Sequence, residues 1–231
     1  MRKRVSVFIC VCVTALLLSA CQVSPPSQIR TYSAASDALT RLGFPEADPE
    51  LLKELESQPQ DLNYDPKYRF LDLLCYLGMG EYDEDTWEWT PGSNGVYWFD
   101  AEFFNIETMY TDCLRGISAL APEELDFSNI IEDHTDVDWE QGTGTVTVSF
   151  DWKGQTHSFE AAMEYDWIDL SALDSINDIL TQHSQRQLYF AFDGGQGCLV
   201  FYADADWAKD FEKVTGIRLV SDTDSLILIL D

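Results

Sequence analysis

The sequence predicts an α+β fold, in which a small helical N-terminal region precedes a largely antiparallel sheet with helices packed on one face. Twice in the second half of the chain, two strands joined by a tight turn are followed by a helix, whereas the region before residue 83 carries only helical signals. The composition fits a packed body, because 45% of the residues are hydrophobic and 13% are aromatic. This is enough apolar surface to offset the entropy lost on ordering the chain.

The N-terminal helices are predicted from their caps. An aspartate followed by a proline, at 48–49 and again at 65–66, is a cap with proline at the first helical position. These pairs open helices predicted over 50–56 and 67–77, and a further helix is predicted over 36–42.

The middle of the chain mixes the two kinds of element. A short strand is predicted over 96–99 and another over 127–132. Between them, apolar residues recur at helical spacing over 106–120, and Pro122 ends that run.

The clearest local prediction is a β-hairpin. Strands over 145–152 and 155–167 flank the turn residues 153–154, and their apolar residues alternate with polar ones. Pairing across the turn places Val148 opposite Phe159, so both strands bury the same side. The later elements follow the same signals: a helix over 173–180, a second hairpin of strands 187–192 and 198–202, a helix from Asp204 to Gly216, and two late strands, 217–220 and 226–230.

Residues 1–20 predict a lipoprotein signal peptide that is cleaved. Three basic residues at 2–4 precede an apolar run over 5–18, which would span only about 21 Å as a helix and is too short for a bilayer core of roughly 30 Å. The run ends in Leu18-Ser19-Ala20-Cys21, which closely resembles the lipobox of bacterial lipoproteins. The resemblance implies that Cys21 becomes the first residue and that its thiol is acylated.

Such an anchor would hold the chain on the extracytoplasmic face of the cell membrane, since two or more acyl chains give stable attachment. The stretch 21–33 is polar and contains two prolines and three serines, so we expect a flexible tether behind Cys21. A helical region over 34–82 and an α+β domain over 83–231 follow, and the two regions together could form one domain.

The charge of the chain excludes one class of partner. Its 41 acidic and 14 basic residues give a formal net charge of −27, and removing 1–20 changes this to −30. Because a nucleic-acid binder needs a basic face to neutralise phosphates, we expect no nucleic-acid partner. A protein with a basic face would instead be attracted by this field.

Cysteine usage leaves two alternatives open. Once the signal is removed and Cys21 is acylated, Cys75, Cys113 and Cys198 remain, with apolar neighbours and a spacing that fits no zinc pattern. They are buried free thiols, or two of them form a disulfide and leave one thiol over.

A search for catalytic motifs finds few. The chain has no G-x-S-x-G, no H-E-x-x-H, no phosphate-binding Gly-rich loop and no dinucleotide fingerprint. His157 and His183 have structural positions in a hairpin and at a helix end, whereas His134 lies in a predicted acidic loop over 132–140. These absences favour a protein that is not an enzyme and has no cofactor.

The acidic loop is a candidate calcium site, because Asp136, Asp138 and Glu140 alternate like the first three ligands of a calcium-binding loop. The pattern then fails, since Gly142 is seventh rather than sixth and Thr147 stands where a glutamate should be. A solvated acidic turn is the alternative interpretation.

Aromatic residues beside carboxylates form the candidate binding site. Trp87, Trp89, Tyr97 and Trp98 lie in or just after the acidic segment that starts at Glu81. Such residues stack on sugars or form hot spots for a basic partner, and they can equally be core residues at the edge of a loop.

The C-terminal pattern of two strands, a Gly-rich turn over 193–197 and a helix with Trp207 and Phe211 resembles uncharacterised secreted or lipid-anchored proteins of Gram-positive bacteria. This resemblance implies a shared fold and no activity.

These observations lead to one main hypothesis and two alternatives. The main hypothesis is a membrane-anchored lipoprotein of the cell envelope that binds a partner or ligand, a basic protein or a glycan, without chemistry. The first alternative is an immunity or inhibitor protein against a basic toxin, which would bind its partner by the same electrostatic attraction. The alternative from another class is an envelope glycoside hydrolase that uses a pair of carboxylates.

Overall fold

The computed structural model of the protein describes residues 29–58, 65–86 and 88–227. Its helices are α1 (Tyr32–Arg41), α2 (Pro49–Ser57), α3 (Lys67–Gly78), α4 (Met109–Ala119), α5 (Ser171–Thr181), α6 (Ala205–Thr215) and α7 (Thr223–Ile227). Its strands are β1 (Glu81–Tyr82), β2 (Trp89–Thr90), β3 (Tyr97–Asp100), β4 (Ser128–Asp138), β5 (Thr143–Trp152), β6 (Gln155–Glu164), β7 (Gln187–Phe192) and β8 (Gly197–Ala203).

These elements confirm the predicted α+β class. The strands form three antiparallel sheets: a β1-β2 ribbon, a central sheet in the order β3-β8-β7, and an outer sheet in the order β4-β5-β6. Both predicted hairpins are present, as β5-β6 and β7-β8. Asp204 caps α6 by accepting hydrogen bonds from the next backbone amides, and Gly216 ends that helix with a positive φ of 73°.

The central sheet is covered on both faces. Tyr189 and Phe201 point into one core, which α1, α3 and α6 close. Phe190 and Val200 point into a second core, which contains residues of α4, α5 and the outer sheet. Because side chains alternate along a strand, neighbouring residues of β7 and β8 enter different cores, and these strands read as continuous apolar runs.

The outer sheet is covered on one face only. Val146, Val148 and Phe150 of β5 are buried, whereas the residues between them are exposed or half-buried. The predicted register is confirmed, since Val148 pairs with Phe159. The predicted arrangement, with helices on one face, therefore applies to the outer sheet, whereas the central sheet has helices on both faces.

Two local predictions are wrong. The segment predicted as an acidic loop over 132–140 is mostly strand, because β4 continues to Asp138 and pairs with β5 on both sides of a register shift between Asp133 and Asp136. Asp133, Asp136 and Asp138 fit there because β4 is an edge strand and these three side chains face water. The predicted strand over 217–220 is absent, since Val220 forms only one isolated bridge with Phe190. Of the strand predicted over 226–230, the first two residues belong to α7, where Leu226 is buried, and 228–230 lie outside the described residues. The Asp222 carboxylate accepts a hydrogen bond from the Ser225 amide, which favours a helical turn at that point.

The N-terminal boundaries differ from the predicted ones as well. The signal peptide and Cys21 lie outside the described residues, but Ile29 and Tyr32 from the predicted tether are buried, and α1 begins at Tyr32. The Tyr32 amide donates to Glu56, and its hydroxyl donates to Asp72. The helical region also shares a core with the central sheet, so the two predicted regions form one packed body.

None of the helices in the described part of the chain is both long and apolar enough to cross a membrane.

Candidate functional site

The uncovered side of the outer sheet carries six carboxylates. We call this surface the acidic face and define it by Asp133, Asp136 and Asp138 of β4, Asp151 of β5, and Glu160 and Glu164 of β6. Thr143, Thr145, Thr147 and Ser149 lie between the two acidic edges. None of the register-paired outward positions of these three described strands carries a basic residue, so the charges on this face are all negative.

Short hydrogen bonds hold two of these carboxylates in their ionised form. Asp133 accepts from the hydroxyl and the amide of Thr135, at 2.5 and 2.9 Å, and these bonds lower the pKa of Asp133 below its ordinary value. Asp151 accepts from the hydroxyl of Thr156 at 2.6 Å and from the amide side chain of Asn129 at 2.7 Å, which lowers the pKa of Asp151 in the same way. These two carboxylates therefore keep their negative charge to a lower pH than an ordinary aspartate does.

A cavity of about 450 Å³ opens beside the end of the outer sheet. We call it the aromatic groove and define it by Phe103, Phe104, Trp139 and Tyr165, with Glu102 and Asp166 among the residues that line it. Phe104 is 95% exposed, Tyr165 60% and Trp139 47%. Side chains of this size are normally buried, so their exposure around one cavity marks a candidate binding surface.

Three separate segments build the aromatic groove. The segment after β3 is tied to the segment after β6, because the Phe103 amide donates to the Asp166 carbonyl at 2.6 Å and the Ile168 amide donates to the Ala101 carbonyl at 2.9 Å. The turn between β4 and β5 contributes Trp139. Met163 of β6 is buried beneath the groove and forms part of its lining.

Tyr165 has a left-handed backbone conformation, with φ of 55°. For a bulky residue this costs about 1–3 kcal/mol and persists only where the surroundings fix it. Its amide donates to the Gly142 carbonyl at 2.9 Å, and its ring lies directly on Gly142, where an added Cβ would meet the ring at 2.2 Å. The ring is therefore held in one place at the rim of the groove.

A buried polar pair lies behind the groove. The side chain of Glu132 in β4 is only 3% exposed, and one of its oxygens accepts a hydrogen bond from the Thr111 amide at 2.6 Å. The other oxygen lies 3.6 Å from Nε2 of His134, and neither of these two buried atoms has a hydrogen-bond partner. The His134 ring packs against Trp139 at 5.3 Å between centroids, which connects the pair to the groove. Loss of solvation raises the pKa of Glu132 above its ordinary value.

The aromatic residues predicted as a binding site do not share one surface. Trp87 lies outside the described residues. Tyr97 is buried, at 2% exposure, and Trp89 packs against it while its ring nitrogen donates to the Met79 carbonyl at 2.7 Å. Trp98 points to the opposite side of β3, where it donates to Asp193 at 2.9 Å. These contacts account for the three described residues by packing, and a ligand-binding role for them stays a prediction.

The residues predicted for calcium are all exposed. Asp136 and Asp138 lie on the acidic face, and Asp138 accepts hydrogen bonds from the amides of Glu140 and Gln141, as a turn residue does. Within the described ranges, no group of three or more histidine, cysteine or acidic side chains is placed to hold a metal ion.

Cys75, Cys113 and Cys198 are free thiols, which agrees with the first of the two alternatives. Burial raises the pKa of Cys75 to about 12 and raises the pKa of the two others further. Such thiols are inert as nucleophiles. His157 pairs with Phe150 on the inner side of the hairpin, and its ring lies 5.9 Å from that of His183.

Comparison of the chain with protein-family models, with curated proteins and with solved structures gives no match. The interpretation of the two surfaces therefore rests on their own chemistry.

Sequence reasoning missed the aromatic groove. Its rings come from positions 103–104, 139 and 165, and no local pattern connects them. A weak signal was present, since consecutive phenylalanines in a loop segment that also contains Asn105 are poorly explained by alternation or helical spacing.

Proposed function

We propose that this protein is a membrane-anchored lipoprotein of the cell envelope whose folded body is a non-catalytic module that binds a partner with a basic face. The acidic face is the observation that supports this proposal most strongly. It presents six carboxylates on the side of the outer sheet that faces water, with a Thr-rich strand between its two acidic edges.

The geometry of the acidic face suits a protein partner better than a small ion. Its carboxylates stand on three neighbouring strands about 4.8 Å apart, so that they form a broad array rather than a chelating cluster. Asp133 and Asp151 are fixed by hydrogen bonds from Thr135 and Thr156, which reduces the entropy lost when a partner orders them.

The charge of the whole chain supports the same function. A formal net charge of −27 creates a field that accelerates the approach of a basic protein and repels acidic ones. Association driven in this way is fast at low ionic strength and weakens steeply as salt is added. An immunity protein that neutralises a basic toxin would work by this same mechanism.

The lipobox-like sequence supports a location at the membrane. The lipobox-like residues 18–21 would place Cys21 at the membrane, and the described body begins at Ile29, which is already part of the core. The body would therefore lie close to the membrane, with its negative field repelling anionic lipid.

Affinity capture from cell envelopes and culture medium tests this proposal. The mature protein, tethered through its N-terminus, is exposed to the extracts, washed and eluted with a salt gradient, and the eluted proteins are identified by mass spectrometry. We expect a basic protein to elute as the salt concentration rises. Retention that does not depend on salt, or no retained protein at all, would contradict the proposal.

A further inference from the structure

The aromatic groove has a second kind of chemistry that the acidic face does not explain. Its rings include Phe103, Phe104, Trp139 and Tyr165, and the ionisable side chains in its lining, Glu102 and Asp166, are both acidic. A ligand of this groove must therefore tolerate or use negative charge, and it must offer surface that can stack on aromatic rings.

These two requirements exclude most classes of small ligand. Anions, including phosphates and nucleotides, would be repelled by both carboxylates and would find no basic side chain among the residues that line the groove. A purely apolar ligand would gain nothing from the two carboxylates. An organic cation satisfies both conditions, because aromatic faces attract a cation through the ring quadrupole and carboxylates attract it by charge.

Three of the groove residues are held in place before a ligand arrives. Tyr165 is fixed against Gly142 by its strained backbone and by its amide hydrogen bond, and one side of Trp139 is supported by the His134 ring. Glu102 accepts a hydrogen bond from the Gln196 side chain at 3.1 Å, which locates its carboxylate. Fixed rings and carboxylates lose little entropy when they bind.

We propose that the aromatic groove binds an organic cation, an alkylammonium or guanidinium group, between its exposed rings and the Glu102 and Asp166 carboxylates. The cavity of about 450 Å³ falls within the range of small-molecule sites, roughly 300–1,000 Å³, and has room for a trimethylammonium group with its substituent. The cation belongs either to a free small molecule or to a lysine or arginine side chain of a protein. The inference does not rest on the proposed function, because it uses none of the six residues of the acidic face.

Titration calorimetry on the whole protein in a non-ionic polyoxyethylene detergent tests the proposal. The probes are choline and 3,3-dimethylbutan-1-ol, which has nearly the same shape but no charge. We expect choline to bind and the neutral alcohol to bind about 2- to 30-fold more weakly, because cation attraction contributes about 0.5–2 kcal/mol. Equal binding of the two probes, or no binding of choline, would overturn the proposal.

Matched variants locate the site. Trp139→Ala and Asp166→Asn should each weaken choline binding by about 2- to 30-fold. The controls are Tyr82→Ala, which removes a ring that is 60% exposed like Tyr165 but lies on the β1-β2 ribbon, and Glu81→Gln, which removes one charge there. The controls should change affinity by less than twofold, and a control effect as large as that of the groove variants would count against the site.

Two further arms complete the test. If Trp139→Ala fails to fold, Phe104→Ala replaces it, since a ring that is 95% exposed contributes little to stability. Replacing choline by N-acetyl-lysine amide and N-acetyl-arginine amide separates the two sources of the cation: tighter choline binding indicates a free ammonium compound, and tighter binding of the amides indicates a protein side chain. Substitutions of Asp136, Glu160 or Glu164 on the acidic face leave the groove residues unchanged, so a failure of partner binding at the acidic face would not affect these titrations.

Discussion

The Glu132 carboxylate caps helix α4, although Glu132 belongs to strand β4. Thr108, at the N-cap position of α4, makes no capping hydrogen bond with its side chain, and the Thr111 amide donates to Glu132 instead. A carboxylate at a helix N-terminus also interacts favourably with the helix dipole. Burial works against the charge, which explains the raised pKa of Glu132.

Two substitutions separate these effects. Glu132→Ala leaves the Thr111 amide without its partner and should lower the free energy of unfolding by about 1–3 kcal/mol. Glu132→Gln keeps an acceptor oxygen and removes the buried charge, so the loss should be smaller. Urea unfolding of both variants at neutral pH gives the comparison, and equal losses would show that the capping hydrogen bond contributes nothing.

The sign of the pH dependence follows from the direction of the pKa shift. A carboxyl group whose folded pKa is raised above its ordinary value of 4.5 binds more protons in the folded state, so its contribution to stability falls as the pH rises from 4.5 through the raised value. Glutamine does not titrate. The stability of Glu132→Gln relative to the wild type should therefore increase between pH 4.5 and pH 8, and a constant difference would contradict the assigned shift.

At the scale of single residues, little of the candidate site could be predicted from the sequence. The contact between Glu132 and Thr111 joins positions 21 residues apart, and the aromatic groove joins three segments. Composition and motif spacing do not reveal contacts between residues that are far apart in the sequence. The predicted aromatic residues, in contrast, were recognisable because they are close in sequence. Closeness in sequence did not place them on one surface, since Tyr97 and Trp98 pack on opposite sides of β3.

At the scale of elements, helix α4 approaches the central sheet through a glycine. Tyr97 of β3 is buried against Gly116, where an added Cβ would lie 2.4 Å from the tyrosine ring. The ring cannot turn away easily, because it also packs against Trp89 and Phe99 at 5.7 and 5.3 Å between centroids. The absence of a side chain at Gly116 therefore sets the distance between α4 and the sheet.

Gly116→Ala tests this contact. Alanine favours an isolated helix by about 1 kcal/mol over glycine, yet here we expect a net loss of about 1–3 kcal/mol because the methyl group overlaps the ring. Thermal unfolding measures the change. In the Tyr97→Leu background, which removes the ring, Gly116→Ala should lower stability by less than it does in the wild type. A higher melting temperature for Gly116→Ala than for the wild type would show that helix propensity outweighs packing.

The elements that the sequence predicted best are those with local signals. The β5-β6 hairpin has alternation in both strands and a Lys153-Gly154 turn, so even its register was predictable. The prediction failed in β4, because acidic side chains on an edge strand look like a loop when the pairing with β5 is unknown. At Leu226 and Ile227, the described part of the strand predicted over 226–230, the chain is helical instead, because so short an apolar run does not distinguish strand from helix.

At the scale of the whole molecule, the two cores explain why the body leaves one broad surface uncovered. The central sheet uses both of its faces for the cores, whereas the outer sheet uses one and exposes the acidic face. The sequence predicted helices on one face but could not assign them to particular sheets, since that choice depends on long-range packing. The acidic face is therefore a consequence of the tertiary arrangement.

Anchoring is tested at Cys21. Cys21→Ser removes the thiol that the lipobox resemblance implies is acylated, so the protein should move from the membrane fraction to the soluble fraction or remain as an unprocessed precursor. Fractionation followed by intact-mass measurement distinguishes these states. Cys75→Ser is the matched control because Cys75 is a free thiol in the folded body, and it should leave the distribution unchanged. A membrane-bound, unlipidated wild-type protein would contradict the anchor.

The central claim is that the acidic face, and not the net charge alone, binds a basic partner. The most direct test compares two triple variants with equal charge: Asp136→Lys, Glu160→Lys and Glu164→Lys on the face, against Glu46→Lys, Glu54→Lys and Asp210→Lys at exposed positions of the helical side. The measurement is the affinity of each variant for the captured partner at fixed salt. We expect the face variant to lose at least about tenfold more affinity than its control, since close charge pairs contribute about 1.5 kcal/mol or more. Equal losses would show that the partner responds only to net charge and would contradict the account.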